Sequence, residues 1–294
     1  GILIGPAIAL VRTRSRPGVH NPKEIELHTG LEVYAVVPHS PEQLLLDQGV
    51  NKATAGNVLA DIYPHSHPVE TLRGLRVGLK IAMATATNNR ILITGATPGI
   101  GKSFIASNFA LLLAQTGKRV LLINADLRKR EPRGAFGLKQ DGGLSELLSG
   151  RLNAQQAVHA QVRPNLDVLT TGKLPRMPAD LLESNQFALA LDMLSARYDH
   201  LVIDTAPVLV ASDAAAVAPA CGVVMLVARA GRTQLGELNE SIRRLAQAGV
   251  PVDGVLFNGM NFSQRYNGSY GYDATSYRHE PHTYTTPRAI RPTK

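Results

Sequence analysis

Between the apolar run Arg90–Thr94 (RILIT) and a helix-forming stretch from Ser103 to Gln115 lies the segment Ala96–Ser103, ATPGIGKS. This spacing constrains its surroundings strongly. It calls for a buried strand before it, a curl of backbone N–H groups within it, and a helix whose positive end faces the same point. Ala96 stands where the pattern usually has its first glycine. Gly99 and Gly101 allow backbone angles and a close approach that a side chain would block. The N–H groups beyond Pro98, which has none of its own, can wrap phosphate oxygens. Lys102 would then reach the β- and γ-phosphates, and the Ser103 hydroxyl would ligate Mg²⁺. The expected nucleotide-binding set is Pro98, Gly99, Ile100, Gly101, Lys102, Ser103 and Phe104. A tight turn that merely needs glycines is the plainer alternative, but it leaves the flanking strand and helix unexplained.

The rest of the chain supplies a fold for such a loop. Arg119–Asn124, Leu166–Thr170, Leu201–Asp204, Val223–Val227 and Val255–Phe257 read as further short apolar strands. Helical patterns lie at Val69–Met83, Ala179–Arg197, Asp213–Ala218 and Gln234–Ala248. Nearly continuous apolar strands alternating with helices predict a doubly wound, mostly parallel α/β sheet covered on both faces. Nearer the amino end, Pro22–His28 suggests a short helix and Glu32–Val37 a strand, while residues 38–68 show no period and read as loop. The chain has 294 residues, enough for one such domain of roughly 200–250 residues plus tails.

Two strand ends carry carboxylates toward the loop. LVIDTAP (Leu201–Pro207) is an apolar strand closed by Asp204, at the sheet edge where α/β proteins bind ligands. Asp204 is the expected metal holder, directly or through water. RVLLINADLRK (Arg119–Lys129) aims Asp126 at the same edge, where it could coordinate metal or take a proton from an incoming hydroxyl. The catalytic candidates are thus Lys102, Asp126 and Asp204, and the metal candidates Ser103, Asp126 and Asp204. A capping or backbone-satisfied aspartate is the structural alternative at each acidic position.

The single Cys221 excludes a disulfide framework and any cysteine-ligated zinc or iron–sulfur site. The formal charge of +8 suits an anionic partner: nucleic acid, a membrane surface or phosphate. Nucleic acid is disfavoured, because the basic residues are dispersed and no aromatic–basic surface motif accompanies them. Arg12, Arg14 and Arg16 follow the apolar run Gly1–Val11. Eleven residues fall short of the about 20 that a spanning helix needs, so the run reads as the cytoplasmic exit of a membrane helix that starts upstream.

With these strand ends identified, the sequence resembles the bacterial tyrosine kinases fused to polysaccharide chain-length regulators, the Wzc-like family, over roughly residues 20–275. PGIGKS matches the family's P-loop. Asn124-Ala125-Asp126-Leu127-Arg128 matches its second acidic motif, and LVIDTAP its Walker B strand. Pro178-Ala179-Asp180-Leu181-Leu182 looks like its proline-led helix start, and Asn258 stands where the family has Asn after the last strand. The resemblance implies a P-loop NTPase of the MinD/ParA-like (deviant Walker) type that takes ATP/ADP and Mg²⁺, with Asn258 at the nucleotide. It implies a homo-oligomeric ring joined through Glu70, Arg73 and Arg76 of the E-x-x-R-x-x-R element, which fall near one helical face. It also implies a fused or separate membrane chain-length-regulator domain, the polysaccharide export machinery and a cognate tyrosine phosphatase, at the cytoplasmic face of the inner membrane. The phosphoacceptors would be Tyr266, Tyr270, Tyr272, Tyr277 and Tyr284, five of the eight tyrosines, in a tail without core periodicity.

The expected organisation is 1–21 as membrane-helix end and basic linker, 22–262 as kinase domain, and 263–294 as flexible tyrosine-rich tail. One residue departs from the pattern. The family has Asp at both acidic positions of the second motif, and here the first is Asn124, an amide that cannot act as a base. Two alternatives therefore stand beside the autophosphorylating kinase. One is a MinD/ParA-like ATPase, against which the missing second lysine of the P-loop counts. The other is a weakly active, nucleotide-gated scaffold.

Overall fold

The computed structural model describes residues 18–48, 56–129 and 134–261, all within a unit that ends at Asn261. The end of the expected membrane helix, the arginine linker as far as residue 17 and the five tail tyrosines lie outside the described residues. Among the described residues, no helix is long and apolar enough to cross a membrane.

The apolar runs form one sheet. Its strands are β1 (Val33–Pro38), β2 (Arg90–Gly95), β3 (Val120–Asn124), β4 (His159–Arg163), β5 (Leu166–Leu169), β6 (His200–Asp204), β7 (Val223–Arg229) and β8 (Gly254–Met260). Their spatial order is β1-β8-β7-β2-β6-β3-β5-β4. Every neighbouring pair is parallel except β4 with β5. Successive side chains of a strand point to opposite faces, and the core divides accordingly. Ile91, Ile93, Leu122, Val202 and Met225 join one buried cluster, whereas Leu92, Leu121, Ile203 and Leu226 join the other. The doubly wound, mostly parallel architecture is the one the sequence implies.

Helices cover both faces. α1 (Pro22–Thr29) is capped by Asn21, whose side chain accepts from the Lys23 N–H, with Pro22 in its first turn. α2 (Pro41–Asp47) and α3 (Leu59–Ile62) follow β1, and α4 (His67–Ala84) leads into β2. α5 (Lys102–Ala114) continues from the glycine-rich loop and is buried on nearly every side. Its Asn108 is itself buried, accepts from the Ala60 N–H at 2.7 Å and donates to the Phe104 carbonyl at 2.8 Å, which ties α3 to α5. α6 (Leu144–Leu148) and α7 (Ala154–Ala157) precede β4. α8 (Pro178–Leu182), α9 (Asn185–Ser195), α10 (Asp213–Val217) and α11 (Leu235–Gln247) complete the set. Phe187, Leu191, Leu194, Leu238 and Leu245 bury one face of the sheet, and Leu72, Leu75, Ile105, Phe109 and Leu112 the other.

Three sequence expectations need correction. Residues 38–68 are not loop throughout, because α2 and α3 lie within them. Ser40 caps α2 by accepting from the Gln43 N–H, and Pro41 opens it. The single helix expected over Ala179–Arg197 is two, because Ser184 breaks the run and caps α9 through the Phe187 N–H. β4 has no counterpart in the sequence reading, since HAQVR offers only Ala160 and Val162 as apolar residues and neither is buried.

Candidate nucleotide and phosphotransfer site

β2 delivers the chain to the glycine-rich loop at the centre of the sheet. Gly95 closes the strand under the side chain of Ile100. A Cβ at Gly95 would lie 2.4 Å from Ile100 Cδ1 and 2.7 Å from the Val227 carbonyl oxygen, so only glycine lets the loop settle onto the sheet. Ile100 is fully buried and does not line the cleft, so its side chain anchors the loop on the sheet. Gly99 and Gly101 adopt φ of 73° and 102°, the left-handed values that the sequence argument required. Asn258, on β8, donates from Nδ2 to the Ile100 carbonyl at 2.9 Å and so holds the loop from behind.

The adjacent acidic turns are stitched to this loop. The Val208 N–H donates to the Gly95 carbonyl at 2.9 Å and the Leu209 N–H to that of Ala96 at 3.1 Å, fixing the turn after Asp204. Asn124 lies in register with Asp204 across the β3–β6 pair. Its Oδ1 accepts from the Asp126 N–H at 3.1 Å, closing a local turn that directs the chain beyond β3. Arg128 then forks onto Asp213, with Nε to Oδ2 at 2.8 Å and Nη2 to Oδ1 at 2.7 Å. Asp213 is fully buried, and its hydrogen bonds lead the causes that raise the Arg128 guanidinium above its ordinary value.

Lys102, Ser103 and Asp126 line one cleft of about 530 Å³, together with Pro98, Gly99, Gly101, Phe104 and Asn258. Asp204 and Asn124 line a smaller cavity of about 40 Å³ that shares Ser103 with the cleft. Ser103 is therefore the hinge between the two acidic positions. Among the described residues, no group of three or more His, Cys, Asp or Glu gathers to hold a metal. A cation here would need oxygens from outside the protein, as Mg²⁺ takes them from substrate phosphates and water. Ser103 and the two nearby carboxylates fit that hard, oxygen-rich preference.

Elsewhere the expected residues separate. Glu70, Arg73 and Arg76 lie on α4 and line neither cavity. Glu70 pairs with Arg73 on the same helix, and Arg76 Nε donates to the Arg73 carbonyl at 3.1 Å. Several lining residues escaped the sequence reading: His39, Ser40, Gln43 and Leu44 from the β1–α2 corner, and Arg229 at the end of β7. The helix signature Ser-Pro-Glu-Gln at 40–43 could have revealed the corner.

The fold and the loop together define a P-loop nucleotide-binding α/β domain, and a family model described as an AAA domain (AAA_31) matches residues 89–248. The chain belongs to the bacterial tyrosine kinase domain family. It is 40% identical to the BceF tyrosine kinase domain, with a TM-score of 0.75, covering 83% of this chain and 99% of that one. The kinase domain of Escherichia coli tyrosine kinase ETK superposes with a TM-score of 0.77 at 36% identity, covering 86% and 98%. The tyrosine-protein kinase ptk of Acinetobacter johnsonii is 39% identical over 270 residues, 92% of this chain and 36% of that protein. The chain thus spans under two fifths of the length of the curated relatives it matches.

Proposed function

We propose that this chain is the phosphotransfer domain of an ATP-dependent protein tyrosine kinase that modifies tyrosines on a second copy of itself. The observation that carries the reading is the gathering of Lys102, Ser103 and Asp126 around one cleft, with Asp204 joined to it through Ser103. In this reading the triphosphate lies along the loop, and Lys102 offsets charge on the β- and γ-phosphates. Ser103 and Asp204 would hold Mg²⁺ with Asp126 nearby, and the cation would supply neutralisation of phosphate charge. Asp126 orients the incoming phenol and accepts its proton as the phenolic oxygen bonds to the γ-phosphorus. The bond from that phosphorus to the β–γ bridging oxygen breaks, and ADP departs.

Burial narrows the acceptors. A Cβ at Gly78 or Gly254 would strike the Tyr34 ring, so that ring is packed between two backbone segments. Tyr198 donates its hydroxyl to Asp167 at 2.6 Å, and burial pushes the phenol well above its ordinary range. Of the described tyrosines only Tyr63 is exposed, which leaves it and the tail positions Tyr266, Tyr270, Tyr272, Tyr277 and Tyr284. The α4 face supports assembly into a ring. Val77 and Ile81 are 66% and 67% exposed, about one and two turns beyond Arg73. By extension the domain works at the cytoplasmic face of the inner membrane, in polysaccharide export, with a phosphatase to reverse the modification.

Incubation with labelled ATP–Mg²⁺ and mass spectrometry of the tail tests the reading. Phosphotyrosine should form on the tail and vanish in Lys102→Met. Transfer to water alone, with an unmodified tail, would instead select the ATPase alternative. Asn124 favours one second reading, a nucleotide-gated scaffold with little transfer, and in that case nucleotide binding should drive assembly without tail phosphate.

A further inference from the structure

Arg229 closes β7, and Arg232 follows in the turn that enters α11. Both guanidinium groups reach the same atom, the carbonyl oxygen of Gly99, with Arg229 Nη1 at 3.2 Å and Arg232 Nη1 at 3.4 Å. Two positive charges held on one neutral acceptor repel each other, and the carbonyl cannot compensate them. Neither arginine forms an ion pair with a carboxylate among the described residues. Arg128, which lines the same cleft, is by contrast committed to Asp213.

The turn that carries the two arginines is built to hold them. The Arg229 N–H donates to Thr233 Oγ1 at 2.8 Å, and Thr233 is fully buried. The Thr233 N–H returns to the Arg229 carbonyl at 2.9 Å. From the other side, Val19 accepts from the Gly231 N–H at 2.8 Å and donates to the Thr233 carbonyl at 2.8 Å. Backbone is thus fixed on two sides while the charged heads stay partly in solvent. Preorganised donors of this kind are worth most where negative charge arrives.

Place in the loop defines the ligand. A Cβ on Gly99 would meet Arg232 Nη1 at 3.0 Å, so the guanidinium lies over the open face of the loop's third residue after Ala96. Arg229 lines the cleft itself. The loop also lacks a second lysine near its start, since Thr97 and Pro98 occupy those positions. We infer that Arg229 and Arg232 form a second cationic wall of the site, which takes the terminal phosphate of a bound nucleoside triphosphate in addition to Lys102. This rests on the nucleotide reading above. It makes the two arginines selective for triphosphate over diphosphate, because only the former presents a terminal group to the loop at Gly99.

Titration calorimetry of the full chain with Mg²⁺ and a non-hydrolysable ATP analogue, ADP or AMP tests this without any transfer step. In Arg229→Gln/Arg232→Gln, affinity for the ATP analogue should fall at least about tenfold, while ADP affinity changes by less than about twofold. Lysine at both positions should restore part of the loss. Equal losses for the analogue and ADP would mean the arginines only hold the loop, and unchanged analogue binding would mean they do nothing for the ligand. Either result overturns the inference but leaves the kinase reading intact. A wild-type chain that binds neither nucleotide overturns both. If the double variant melts early, Arg232→Gln alone, at an exposed position, should still weaken the analogue selectively, and equal binding there overturns the inference as well.

Discussion

Asn124 occupies the position where a second carboxylate would stand beside Asp204, and its present contact explains how the turn survives the exchange. Its Oδ1 accepts the Asp126 N–H at 3.1 Å, a bond that a carboxylate oxygen makes equally well. Asn124→Asp should therefore fold normally while adding negative charge next to the metal candidates. Tail phosphorylation should rise by roughly 100- to 10,000-fold, the scale of one acid–base group, with less Mg²⁺ needed for half-maximal rate. An unchanged rate by mass spectrometry would remove Asn124 as the limiting residue. The Arg128–Asp213 fork predicts an asymmetry. Arg128→Ala strands a carboxylate that has no exposure and should cost about 3 kcal/mol in denaturant unfolding. Asp213→Asn strands only a guanidinium with 39% exposure and should cost less. Equal costs would contradict the burial argument. Lys102, Ser103, Asp126 and Asp204 were legible because each sits at a fixed distance from a strand end. Arg229 and Arg232 were not, because nothing in VARAGRT shows that its turn folds back over the loop.

At the scale of elements, the glycine-rich loop and β8 depend on each other. A Cβ at Gly101 would lie 2.0 Å from Asn258 Nδ2, and φ of 102° strains any side chain there. Gly101→Ala should displace the Asn258 amide from the Ile100 carbonyl. Nucleotide affinity should fall more than about tenfold while the melting transition loses only about 1–3 kcal/mol, since the strain is local. Adding Asn258→Ala relieves the collision but not the backbone strain, so calorimetry should find incomplete recovery. The amino end of β6 governs a separate property. Burial holds the His200 imidazole below its ordinary value of 6.5, with Lys118 acting in the same sense and Asp199 opposing. The folded chain then binds fewer protons than the unfolded one, so this contribution is complete above about pH 6.5 and fades as pH falls. Thermal melts from pH 7 to pH 5 should slope less in His200→Gln. The elements that could be read from sequence were those with one period and one environment, such as β2 and α11. α2 and α3 were missed because short helices of mixed polarity show too little period. β4 was missed because an antiparallel edge strand need not be apolar.

Over the whole molecule, charge bears on the proposed assembly of copies. The chain carries a formal +8, and its tail holds five tyrosines. Each phosphate adds about −1.5 to −2, so full tail modification brings the chain from strongly basic to near neutrality or beyond. Before modification, a tail of mostly basic and polar residues has no electrostatic reason to stay on a cleft walled by Lys102, Arg229 and Arg232 beyond the pull of the nucleotide. After it, phosphotyrosines crowd one another and the nucleotide alike. On the α4 face, the exposed Val77 and Ile81 offer apolar area but little of it, so an assembly joined there is open to disruption by repulsion of that size. Sedimentation velocity should accordingly show large species for the phosphatase-treated chain and smaller ones after incubation with ATP–Mg²⁺, with the change reversed by renewed phosphatase treatment. Ile81→Asp should give small species in both states while binding nucleotide as before, because no α4 residue lines the cleft. A fully phosphorylated sample that still sediments as a closed ring would show that the tail's charge does not control assembly. Small species in every state would mean that this domain does not assemble through α4 by itself.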